Sequence, residues 1–184
     1  MIKDTEAGYG AVSILFHWLG ALAIIAIWLL GDRIDDFARA SAERSAAQGL
    51  HFAVAFSCLI ILVPRLVWRF LHLKTPLAET NSPFLDFTAK IVKWGLLAAM
   101  TILVISGPID VWTSRRGAID VFGWVISSPI PTSLNGVLHA VAGPAHVICA
   151  KAILILVALH VLGALKHLVY DRDGVFRRML VPAK

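Results

Sequence analysis

The chain has 184 residues, 58% of them hydrophobic and 16% charged, with a mean hydropathy of +0.77, which excludes an ordinary soluble domain and places it in a bilayer. Its net charge of +5 and pI near 9.6 reflect basic residues gathered at helix ends and call for no nucleic-acid partner. Cys58 and Cys149 stand singly in apolar stretches, and the absence of C-x-x-C-H excludes a covalently attached c-type haem.

A helix needs about 20 mostly apolar residues to cross a bilayer, and four windows qualify. The first covers residues 11–30. It exceeds a signal-peptide core, and its leader carries Asp4 and Glu6 against a lone Lys3, so it reads as a retained span. A loop of mixed charge, 31–49, leads to the second window, 50–71. The connection 72–89 holds Pro76 and then Ser82-Pro83, a pair suited to an N-cap followed by proline in the first turn of the third helix or of a short preceding one. The third window is 91–112. A second loop, 113–135, follows, and the aromatics Trp112, Phe122 and Trp124 are expected at the membrane interface. The fourth window, 137–168, is longer than a bilayer requires and should tilt or protrude. No repeat or linker interrupts the chain. The expected fold is all-α, a single membrane domain over 1–184 built as a four-helix bundle.

Basic residues resist translocation, so their distribution orients the bundle. Lys3, Arg65, Arg69, Lys74, Lys90, Lys93, Lys166, Arg172, Arg177, Arg178 and Lys184 gather on one side, against Arg33, Arg39, Arg44, Arg115 and Arg116 on the other. Both termini are therefore expected to be cytoplasmic and the two longer loops external.

Ionisable residues within spans are costly and face a bundle interior, a cavity or a metal, which makes intramembrane histidines the first functional candidates. His17 lies near the cytoplasmic end of the first helix, and His51 opens the second near the external end. On the fourth helix His146 and His160 are fourteen residues apart, on nearly one face and about 21 Å apart along the axis. That helix runs from outside to inside, so His146 is level with His51 and His160 with His17. Facing neutral imidazoles ligate a haem iron from both axial sides. The filled coordination sphere leaves no position for oxygen activation, so the expected work is electron transfer between two centres about 20 Å apart. On the residues alone a rival stays open, in which these histidines bond neighbouring helices or line a proton or metal-ion path.

Further residues group around this frame. Gly20 and Gly163 follow His17 and His160 by three positions and leave room for a porphyrin; ordinary helix packing also uses glycine. Arg65 and Arg69, one turn apart, are placed either to pair with carboxylates of the inner haem or to snorkel to the headgroups. His139, seven residues before His146, is a second choice as outer ligand and better placed at the external mouth. Lys151 lies about 140° from the ligand face.

These residues resemble the bacterial cytochrome b561 family, small di-haem cytochromes b of the inner membrane. The resemblance covers nearly the whole chain and rests on Phe16-His17-Trp18-Leu19, His51, Arg65-Leu66-x-x-Arg69, Val121-Phe122-Gly123 and His146-x13-His160-x6-His167. It implies two haem b groups, held by His17 with His160 and by His51 with His146. The chain departs from the family at Lys90 and Lys93, where relatives often carry histidine, and at Val104, where many have proline; Pro108 lies four residues later.

The resemblance further implies a multi-pass protein of the bacterial inner membrane that passes electrons to or from ubiquinone, with superoxide as a donor at the external side. His167, near the cytoplasmic surface and on the haem face, is placed to hydrogen-bond a quinone carbonyl or relay its proton, or is an interfacial histidine without a role; Arg115 and Arg116 either steer an anion or form a solvated basic loop. The alternative is a haem-bearing membrane anchor that accepts electrons from a partner dehydrogenase or cytochrome.

Overall fold

The computed structural model describes residues 1–5, 8–72 and 82–183. Glu6 of the leader, Lys74 and Lys184 of the basic count, and Pro76 of the connection lie outside the described residues. Four helices carry the fold: α1 (Ala11–Asp32), α2 (Ala42–Leu71), α3 (Pro83–Thr113) and α4 (Asn135–Leu165). All four are long and apolar enough to cross a membrane, and only 6% to 22% of each most apolar window is buried inside the protein. Lipid must cover the rest.

Two helices begin well before their apolar windows, because caps rather than hydropathy start them. Ser41 accepts the Arg44 N–H at the head of α2, so residues 42–49, expected as loop, are helical. Ser82 caps α3 with Pro83 in its first turn. At the far end, α4 runs on into a π-helical turn, Lys166–Asp171.

The all-α expectation needs one correction. Residues 113–135 contain a hairpin, β1 (Ala118–Val121) paired antiparallel with β2 (Trp124–Ser127). Phe122 and Gly123 both take positive φ, 52° and 95°, which matches strand twist in a two-residue turn. Asp120 accepts the Gly123 N–H. Ile119 is buried, and Trp112 donates its indole N–H to Ile126 O, whereas Phe122 and Trp124 are exposed at the hairpin tip.

The chain ends lie together: Ala183 N–H bonds Tyr9 O, Met1 bonds Ala183 O, and Trp18 reaches Met179 O. The bundle therefore has a terminal end and a hairpin end. The N-terminal segment also satisfies otherwise orphaned donors of α1, with Ala11 N bonding Met1 O and Val12 N bonding Ile2 O.

The helices pack chiefly as two pairs, α3 with α4 and α1 with α2. Among the described residues, the backbone of α4 hardly approaches that of α1 or α2. Side chains bridge the seam, including Trp28, which donates to Ala150 O, and the small apolar core of Ala23, Leu62, Leu66, Ala99, Met100 and Ile153. Hydroxyls in the spans bond back to their own helices, as Ser57 does to Ala53 O and Thr101 to Leu97 O. Ile119→Ala is expected to destabilise the hairpin end by about 2–4 kcal/mol; thermal unfolding in detergent, compared with Phe122→Ala at the exposed tip, measures it.

Candidate functional site

The four span histidines meet across the seam in two pairs. His17 of α1 faces His160 of α4 near the terminal end, with ring centroids 6.0 Å apart and ring planes inclined by 57°. His51 of α2 faces His146 of α4 near the hairpin end at 6.5 Å and 79°. Metal–imidazole bonds of about 2 Å on either side of one ion put two ring centroids about 6 Å apart. Both pairs fit that spacing.

At the hairpin end the rings are oriented from behind. His51 Nδ1 lies 3.1 Å from Ile27 O, and His146 Nδ1 lies 3.2 Å from Ser106 Oγ, which leaves each Nε2 for a ligand. Two glycines give the rings room: a Cβ on Gly31 would lie 3.1 Å from His51 Cε1, and one on Gly107 the same distance from His146 Cε1. At the terminal end neither His17 nor His160 has such a hydrogen bond among the described residues. There Arg65 lies against Gly20, and a Cβ on that glycine would overlap its guanidinium. Gly163 has no such neighbour within 4 Å of its Cβ position.

The other expected residues divide. Arg65 belongs to the terminal-end pair, whereas Arg69 donates to His72 O at the end of its own helix. His167 Nδ1 lies 2.7 Å from Asp173 and 3.3 Å from Asp171, so Nε2 is the nitrogen left to meet a ligand. Slight burial pushes the Asp173 carboxyl up, but the Val175 N–H and His167 outweigh it and hold the group below its ordinary value. These three side chains could gather a metal by distance alone, but Lys166 already holds both Asp171 oxygens, at 2.7 and 2.6 Å. Lys151 is exposed on the outer face of α4. Arg116 is pinned beside the hairpin-end pair, bonded to Gln48 and 5.5 Å over the Phe52 ring, next to His51.

Sequence reasoning missed Asp110 and Ser106. His139 pairs not with His51 but with Asp110, at 2.9 Å from Oδ1. That oxygen is buried and makes no aligned hydrogen bond. The available signal was a carboxylate inside an apolar span, one turn beyond a serine.

A family model described as prokaryotic cytochrome b561 matches residues 8–182. The chain belongs to that family. Among its relatives are cytochrome b561 homolog 2 of Escherichia coli, 28% identical over 177 residues that cover 96% of this chain and 93% of the relative. Cytochrome b562 of Cereibacter sphaeroides is 26% identical over 181 residues, 96% of this chain and 98% of that protein. Family membership and the four apolar helices together make this a multi-pass bacterial membrane protein that binds haem b and transfers electrons.

On the expectation that His146 holds haem iron, Ser106→Ala should weaken haem retention roughly 10-fold by freeing that ring. Gly107→Val should do more, by displacing it, and Gly136→Val, with open space around its Cβ position, should do neither. The haem-to-protein ratio after washing in detergent checks all three.

Proposed function

We propose that the chain is a di-haem cytochrome b of the inner membrane that takes electrons from superoxide at the hairpin end and delivers them to ubiquinone at the terminal end. The two ring pairs carry the reading, for each has the separation of a bis-imidazole iron site, at 6.0 and 6.5 Å. His17 with His160 and His51 with His146 are the metal ligands in this proposal, and Arg65 would pair with a carboxylate of the terminal-end haem when it is bound. When bound, haem iron supplies a one-electron carrier at each depth.

The protein's own groups do the rest. Ile27 O and Ser106 Oγ fix the orientation of the hairpin-end rings. The apolar helices keep water from the seam. Arg116, held over Phe52, presents positive charge where an anionic donor arrives. At the opposite end His167, with Nδ1 held by Asp173, offers Nε2 to a quinone carbonyl. In balance, two superoxide anions release two electrons and become dioxygen, and one quinone takes up those electrons with two protons to become the quinol. The basic residues near the terminal end favour a cytoplasmic location for both termini, so the quinone's protons come from the cytoplasmic side.

A reduced-minus-oxidised spectrum with haem quantification tests the ligands. Two low-spin b haems are expected in the wild type and about half that content in each of His17→Ala, His51→Ala, His146→Ala and His160→Ala. A colourless wild type, or content unchanged in all four, would overturn the assignment. Stopped-flow mixing with superoxide tests the donor, and Arg116→Gln should slow reduction several-fold at low salt, with the difference fading as ionic strength rises.

A further inference from the structure

At both ends of the seam a glycine one helical turn from a proposed ligand admits a charged side chain from a neighbouring helix, and the two charges have opposite sign. On α4, Gly143 precedes His146 by three residues, and a Cβ there would come within 2.8 Å of Asp110 Oδ1. On α1, Gly20 follows His17 by three residues, and a Cβ there would overlap the Arg65 guanidinium. One turn rises about 5.4 Å. A negative charge is thus held beside the hairpin-end pair and a positive one beside the terminal-end pair.

Neighbouring groups reinforce the polarity. Asp110 lies one turn beyond Ser106, which touches His146. Lys93 joins Arg65 within electrostatic reach of His160. Neither charge faces a permanently charged partner: Asp110 pairs with His139, an ion pair only when that imidazole is protonated, and Arg65 has no carboxylate partner among the described residues. Arg116 stands at the hairpin end too, but it is exposed, and water screens it more than groups inside the bundle.

Adding an electron to a centre is opposed by a nearby negative charge and favoured by a nearby positive one. The effect is larger within the bundle than in water. Resting on the di-haem reading above, we infer that Asp110 and Arg65 are positioning residues that order the two centres: Asp110 holds the hairpin-end centre at the lower midpoint potential and Arg65 holds the terminal-end centre at the higher. An electron arriving at the hairpin end then runs downhill toward the chain termini, lost by the first centre and gained by the second. If Arg65 pairs with a haem carboxylate, the sign is unchanged, because it removes negative charge from that end.

Spectroelectrochemical titration of the haem-loaded protein decides it, with His51→Ala and His160→Ala, each keeping the haem of the opposite end, used to assign the two midpoints. The lower midpoint should belong to the hairpin end. Asp110→Asn should raise that midpoint and leave the other nearly in place. Arg65→Gln should lower the terminal-end midpoint, and Arg65→Lys should keep it near the wild-type position. A terminal-end centre with the lower midpoint, or midpoints unmoved in fully loaded Asp110→Asn and Arg65→Gln, would overturn the inference. Fewer than two haems in the wild type would instead refute the di-haem reading itself. If either variant loses haem, the order of the wild-type midpoints still decides.

Discussion

An imidazole inside an apolar bundle has two nitrogens to satisfy, and helix backbone in lipid can offer them little beyond the second lone pair of a carbonyl. Four histidines place that demand on this fold. At the hairpin end half of it is met by protein, through Ile27 O and Ser106 Oγ, and one nitrogen of each ring is left. The demand shapes the packing. α4 keeps its backbone away from α1 and α2, and the histidines reach across that seam. Glycines at 31 and 107 leave the rings room where a methyl group would press on them. Ordinary membrane helices close such a seam with small residues in backbone contact.

Much of this was legible in the sequence because two periodicities carry it. Hydropathy over about 20 residues finds the spans, and the fourteen-residue interval between His146 and His160 sets two depths on one face. What hydropathy cannot see is where a helix begins. Residues 42–49 are polar, and Ser41 makes them helical by accepting an N–H. The hairpin was missed for a related reason. Its strands have four residues each, and its turn is Phe122-Gly123 rather than the Asn-Gly or Asp-Gly that advertises positive φ at both positions. The strands gain their stability from burying Ile119, a tertiary contact without a local signature.

The pairing of charges across helices was illegible for a deeper reason. Asp110 and His139 are 29 positions apart on antiparallel helices, and nothing in either helix alone predicts their 2.9 Å approach. Gly143 has meaning only once Asp110 is seen in the space a Cβ would fill. Gly20, expected from the sequence to leave room for a porphyrin, gains its visible neighbour in the same way, for the Arg65 guanidinium lies where its Cβ would be. A glycine one turn from a proposed ligand shows that something approaches closely, and only the fold shows what.

This division of labour bears on how a small bundle can give direction to electron transfer. The two histidine pairs are chemically alike, four imidazoles drawn from similar apolar helices, and a protein of this size has few ways to make two like centres unlike. Exchanging a ligand would change the coordination itself. Admitting a charge through the gap at a glycine leaves the ligands untouched and acts through the field, which reaches far in a medium with little water to screen it. The cost is a half-buried charge at each end, Asp110 with only His139 beside it and Arg65 with no protein carboxylate among the described residues. Such groups are expensive in a membrane protein, and packing alone gives no reason to place them one turn from His146 and His17.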